Sequence, residues 1–395
     1  MKVPLGPSKV GSLEKSANKG LKLSPISWWK PEATGCEVSI LSRVIGEGFF
    51  NDGKYTDEFS ERLAKRLSVE NGIALSSGTA AIACALFSLG IGPGDEVLVP
   101  DVTFIATANA VTLTGARAVI VDVEPASLSM DPVAARRAIT PRTKAILPVH
   151  VSGRAGTLGE VLQLGREKGL PVVEDAAEAL GVVAMGRPLG THGELGCFSF
   201  SPNKTITTGQ GGMIVTRNSH LAQRIRELKD QGRAERGTGG DDAHPVLGFN
   251  FKLTNLQAAL GLAQLQDLDR RMQRMKVIGQ VYRRELGGVE GIRTFPADLE
   301  GGEIPQWTDV LTERRDDLVR HLNGHGMMCR KFWHPLHTHP PYRRPDTEFP
   351  VSTAIAPKAF WLPSAFQMSE TDVVKVCNCI KTFMLAAEAG AKRNN

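Results

Sequence analysis

From about residue 71 to residue 216, short apolar runs alternate with stretches of helical pattern, and no other feature of the chain narrows its fold so far. The runs lie at 72–75, 96–99, 118–123, 145–149, 171–174, 197–200 and 213–215. Segments this short and this apolar suit strands covered on both faces, which means a mostly parallel sheet. Parallel neighbours need crossover connections, and the stretches 79–89, 104–114 and 158–168 fit as crossover helices. An amphipathic helix is expected before them, over 57–68. The expected fold class is therefore α/β with a mostly parallel central sheet.

After residue 216 the pattern changes. Residues 219–229 and 254–282 read as long helices, the second rich in small and apolar residues from Gln257 to Leu265. Residues 283–395 read as a smaller α+β unit, with a strand near 307–311, a helix over 314–324, a Pro/His loop at 334–341 and a last helix over 370–387. The expected division is a basic tail over 1–27, a large domain over 28–282 and a small C-terminal domain over 283–395.

The net charge is +5. Much of it sits in the first 27 residues, where Lys2, Lys9, Lys15, Lys19 and Lys22 face only Glu14. Without that tail the chain is close to neutral, so the surplus does not argue for nucleic acid as a partner. No apolar run approaches the roughly 20 residues that span a bilayer. The N-terminus lacks the apolar stretch of a secretion signal, so a cytoplasmic protein is expected, with no membrane partner. The six cysteines are scattered, and only Cys377 and Cys379 are close. Their C-x-C spacing falls in an expected helix and reads as buried thiols in a reducing compartment; no metal site is expected.

Two residues carry the chemistry. Lys204 follows the run 197–200 in a tight turn of small residues and precedes Gly209-Gln210-Gly211-Gly212. Asp175 ends the run 171–174, at a strand's carboxyl end, where open α/β sheets bind ligands. A lysine amine that bonds to an aldehyde carbon, and an acid that keeps a pyridine nitrogen protonated, are what pyridoxal phosphate requires. Asp175-Ala176-Ala177-Glu178 also has the spacing of a helix capping box, a purely structural alternative. Ser76-Ser77-Gly78-Thr79 follows a strand and opens a helix; it reads as a phosphate cradle at Gly78 and Thr79, or as a plain helix cap. Ser199 reads as a phosphate ligand or a strand hydroxyl. Phe104 reads as a ring-stacking aromatic or as core.

These segments, in order, resemble the DegT/DnrJ/StrS sugar aminotransferases, which are pyridoxal-phosphate enzymes of the aspartate-aminotransferase fold type. The resemblance runs through Ser77-Gly78-Thr79, Gly92-Pro93-Gly94-Asp95, Glu174 to Gly181, Phe198 to Lys204, Gly209 to Gly212, Gly248 to Ala259 and Pro335-Leu336-His337. It covers about residues 28 to 385. It implies that Lys204 is the cofactor lysine and proton carrier. Asp175 would pair with the ring nitrogen, and Glu178 would lie near the ring hydroxyl. Gly78, Thr79 and Ser199 would hold the phosphate, and Phe104 would stack on the ring. Asn250 would reach the cofactor phosphate of a neighbouring subunit, giving a homodimer with shared active sites. His337 and Arg330 match positions near the substrate.

Within the family, Asn203 to Gly209 and Asp175 to Ala179 are most similar to perosamine-synthase-like enzymes. That similarity implies amino transfer from L-glutamate to a nucleotide-linked 4-keto-6-deoxyhexose by a ping-pong route. Gln210 stands where an acid is common, and Lys252 where arginine is common. Alternatives are a keto-cyclitol or keto-ulosonic acid as acceptor, or a non-catalytic binding protein on the same fold. Relatives that remove a hydroxyl by dehydration carry histidine at the lysine position, so Lys204 argues for transfer.

Overall fold

The computed structural model describes residues 25–236 and 242–391. Residues 1–24 of the expected basic tail therefore lie outside the described residues. In chain order the strands are β1 (Asn71–Leu75), β2 (Glu96–Pro100), β3 (Arg117–Val121), β4 (Thr143–Ile146), β5 (Val173–Asp175), β6 (Val183–Ala184) and β7 (Arg187–Pro188). They continue as β8 (Leu195–Ser199), β9 (Gly212–Thr216), β10 (Arg293–Thr294), β11 (Asp309–Leu311), β12 (Arg330–Lys331) and β13 (Ala359–Trp361).

The sets β1-β9-β8-β5 and β3-β2-β4 join through parallel bridges Ile146–Val172 and Val149–Asp175. The result is one seven-stranded sheet in which only β9 runs against the rest. Each of the seven apolar runs in the sequence overlaps one of these strands. Every residue of β2 and β9 is buried, as strands covered on both faces must be.

Helix Gly78–Ser88 is apolar almost all round because it lies against the sheet and between helices Ala106–Leu113 and Ser219–Lys229. The expected long helix over 254–282 is two helices, Asn255–Leu265 and Leu268–Leu286. The first is opened by a Thr254–Gln257 capping box. It ends where Gln266 and Asp267 turn their amides back to Ala263 and Gln264. Asp267 then places a negative charge at the next helix start, where the helix dipole favours it.

The strands β10-β11-β13-β12 form a second, fully antiparallel sheet. Helix Leu268–Leu286 spans residue 282 and serves both layers. Met272 and Met275 pack into the core under the large sheet, whereas Ile278, Val281 and Tyr282 pack with Val310, Leu322, Phe360 and Val376 of the small unit. Between the sheets, Trp28, Trp307, Phe332, Trp333 and Trp361 make an aromatic cluster against Val102, Val123 and Val149. This cluster closes one side of the space above the strand ends.

Candidate active site

The carboxyl ends of β1, β5 and β8 meet below that aromatic cluster and enclose a cavity of about 380 Å³. Asp175 is the last residue of β5. Its Oδ1 accepts from the Ala177 amide at 3.1 Å and its Oδ2 from the Thr107 hydroxyl at 2.8 Å. Burial pushes this carboxyl above its ordinary range, opposed by Thr107, the Ala177 amide and the charge of Lys204. Its neighbour Glu174 points the other way. It accepts from the amides of Gly190, His192 and Gly193 and pairs with His150 at 2.8 Å. Burial pushes Glu174 up, but His150 and these amides outweigh it and hold the group low. Glu174 thus pins the strand while Asp175 faces the cavity.

No helix begins at Asp175, so its spacing to Glu178 is not a capping box. Glu178 instead accepts from Lys204 Nζ at 3.3 Å through one oxygen and from the Ser152 amide at 2.9 Å through the other. Burial lifts its pKa as well, with Lys204 and the Ser152 amide opposing and Asp175 adding to the rise. Lys204 sits in the turn after β8, its amide bonded to the Ser201 carbonyl. Its ammonium lies 5.2 Å from the centre of the Trp307 ring, within cation–π range.

The helix start at Gly78 is a capped one. Ser77 caps it, accepting from Ala80. The amides of Gly78 and Thr79 remain without intrahelical acceptors, as the first amides of any helix do. Gly78 must be glycine here, because an added Cβ would stand 2.9 Å from the Ser199 Cβ. Gly212 is more constrained still, its added Cβ falling 2.3 Å from the Ser77 carbonyl oxygen.

The cavity wall brings together Lys204, Asp175, Glu178, Gly78, Thr79, Ser199, Phe104 and Arg330. Phe104 is 54% exposed, so it is not core. Arg330 lies over the rings of Trp28 and Trp361. Two residues singled out in the sequence are elsewhere. Asn250 is exposed and pairs with Asp230 outside this cavity. His337 is fully buried; its amide and Nδ1 both reach Asp101, at 2.8 and 2.6 Å, and its ring stacks on Phe349. That contact ties the Pro/His loop to the end of β2. Thr107, Ser152, Trp307 and Trp333 were not assigned roles from the sequence. Thr107 had no motif around it, and Ser152 and Trp307 gain their positions only through distant strands.

Acting together, these groups can hold an aldehyde that carries a phosphate at one end and a basic ring nitrogen at the other. The cavity is large enough, the glycine cradle offers unpaired amides, and the buried acids and lysine face one space, so the residues present fit pyridoxal phosphate. The fold is that of the pyridoxal-phosphate enzymes of the aspartate-aminotransferase type. The DegT/DnrJ/EryC1/StrS aminotransferase family matches residues 33–381, and the chain belongs to it as a pyridoxal-phosphate-dependent aminotransferase.

Among its relatives, GDP-perosamine synthase of Caulobacter vibrioides is 38% identical over 82% of this chain and 88% of its own length. GDP-perosamine synthase of Vibrio cholerae is 34% identical over 90% and 98%. The crystal structure of S. venezuelae DesV superposes with a TM-score of 0.86 at 30% identity, covering 92% of this chain and 99% of DesV. Among the described residues no helix is long and apolar enough to cross a membrane.

Proposed function

We propose that this enzyme transfers an amino group from L-glutamate to a keto-sugar, carried as a nucleotide-linked 4-keto-6-deoxyhexose, in two half-reactions that share one cavity. The observation that carries the reading is the meeting of Lys204, Asp175 and Glu178 at the strand ends. The relatives named GDP-perosamine synthase support the sugar class. When bound, pyridoxal phosphate supplies an electron sink for the carbon that loses its proton.

The chain's own residues supply the rest. The amides of Gly78 and Thr79, with the Ser199 hydroxyl, bind the phosphate at a helix start. Asp175 holds a proton at the ring nitrogen, and its own ionised form is favoured by that positive partner. Lys204 Nζ would take the α-proton of glutamate and deliver it to the carbon that was the cofactor's aldehyde, then do the reverse for the sugar. Glu178 keeps the amine aligned between turns. Trp307 and Trp333 exclude water from the acids, which strengthens each charge interaction. Arg330 offers a fixed cation at the rim for an anionic part of the substrate.

We also propose a homodimer. Asn250 is exposed and outside its own chain's cavity, so it is free to serve a partner's site. Phe49, Phe50 and Leu247 are exposed apolar side chains that an interface would cover.

The test is direct. The purified protein should be yellow, bleach on adding glutamate, and then aminate one member of a panel of keto-sugar nucleotides, with the product identified by mass. Lys204→Ala should retain the fold and lose all turnover. Transamination by that variant would overturn the assignment.

A further inference from the structure

Away from the cavity, the small unit contains a group of ligand-bearing side chains that the reaction does not use. His321 lies on helix Arg315–Gly324, and His325 caps its end. Cys379 lies on helix Glu370–Ala391, which packs alongside. One ligand atom from each of the three lies within 4.8 Å of the others. The two imidazoles are four residues apart and so share a helix face. Their ring centres are 4.4 Å apart.

The surroundings favour ligation. His325 Nδ1 lies 2.8 Å from the His321 carbonyl oxygen, an acceptor only. The proton must therefore be on Nδ1, which leaves the Nε2 lone pair available. An imidazole N–H committed to a backbone carbonyl is the usual outer support of a metal-bound histidine. His321 is held on its inner side by the Phe383 ring at 5.1 Å. Cys379 is in no disulfide and is only partly buried, whereas Cys377 is turned fully into the core. The C-x-C spacing therefore does not make the site; a histidine pair on another helix does.

We propose that His321, His325 and Cys379 bind one zinc ion, which ties helix Arg315–Gly324 to helix Glu370–Ala391. Two imidazole nitrogens and one thiolate suit zinc and exclude the oxygen-seeking magnesium and calcium. Zinc sits about 2.0–2.1 Å from nitrogen and about 2.3 Å from sulfur, so closing the triangle takes shifts of about 1 Å. Water fills the fourth position on the exposed side of His325. Binding forms a Zn–S bond and releases the thiol proton to solvent.

The test uses the untagged, full-length holoenzyme after dialysis against a chelator. Titration with zinc should saturate at one ion per chain and raise the melting temperature. Cobalt(II) should give a near-ultraviolet thiolate-to-metal band. His325→Gln, an exposed change that leaves the fold intact, should weaken zinc binding by at least about tenfold. Cys379→Ser should abolish the cobalt band. Both variants should keep the parent's transamination rate. No saturable zinc binding, or binding of equal strength in His325→Gln, overturns the proposal; so does a cobalt band that survives in Cys379→Ser.

Discussion

Asp175→Asn probes a buried charge of the active site. Asp175 is 5% exposed, and its oxygens accept from Thr107 at 2.8 Å and Ala177 at 3.1 Å. Asparagine has the same shape, and its carbonyl can keep the Ala177 bond. Its NH2 cannot accept from Thr107. Thr107 can turn, however, accept from that NH2 and donate to the Thr103 hydroxyl 2.8 Å away. The rearranged network leaves no buried polar atom unpaired, so the fold loses less than about 1 kcal/mol. What disappears, in the proposed reaction, is the negative charge that would face the protonated ring nitrogen of the bound cofactor. A hydrogen bond to a charged group is worth about 1.5–3 kcal/mol. An interaction of this kind that strengthens as charge develops is worth about 10²–10³ in kcat. Stopped-flow absorbance of the glutamate half-reaction measures the rate, and melting of the cofactor-free protein measures the fold. The expected result is a melting point within about 2–4 °C of the parent, with kcat down by about two to three orders of magnitude. A kcat within about threefold of the parent would refute the pairing of Asp175 with the ring nitrogen.

Four further outcomes follow from the geometry. Mixing Lys204→Ala with Asn250→Ala subunits, each inactive alone, should restore about one quarter of the sites if Asn250 serves its partner; no recovery would place Asn250 in its own chain's site. Gly212→Ala drives a methyl to 2.3 Å from the Ser77 carbonyl; it should cost about 1–3 kcal/mol in denaturant unfolding and weaken cofactor retention, and an unchanged pair of values would exclude the close approach. Arg154→Leu strands Asp309, which it meets at 2.7 Å with both side chains buried; the loss should be about 3–5 kcal/mol, and the Ser152 amide that holds Glu178 should loosen with it. For Glu96, burial pushes the carboxyl up, but Thr140, Arg117 and Arg142 outweigh it and hold it at about 2. Its contribution is complete above its ordinary value of 4.5 and is lost as pH falls from there to about 2. Because both arginines are well exposed, Glu96→Gln should cost only about 1–2 kcal/mol at pH 7, and should flatten the acid limb of a stability–pH curve; an unaltered limb would contradict this.

The sequence alone determined the order of elements and the type of sheet. Short, continuous apolar runs can be buried only as covered strands, and that information is local. It also pointed to Lys204, Asp175 and Gly78, because a lysine in a glycine-rich turn, an acid at a strand end and a glycine at a helix start are each readable within a few residues. Tertiary structure decided what such windows leave open. Asp175 and Glu178 have the spacing of a helix cap, yet the chain turns there because Glu178 is claimed by Lys204 and Ser152, 26 residues away on either side. His337 meets Asp101 across 236 residues and is drawn into the core, not the cavity. Thr107, Trp307 and the His321–His325–Cys379 group acquire their neighbours the same way. Contacts between distant segments leave no periodic trace in the chain, and burial then settles which of several local possibilities each side chain adopts.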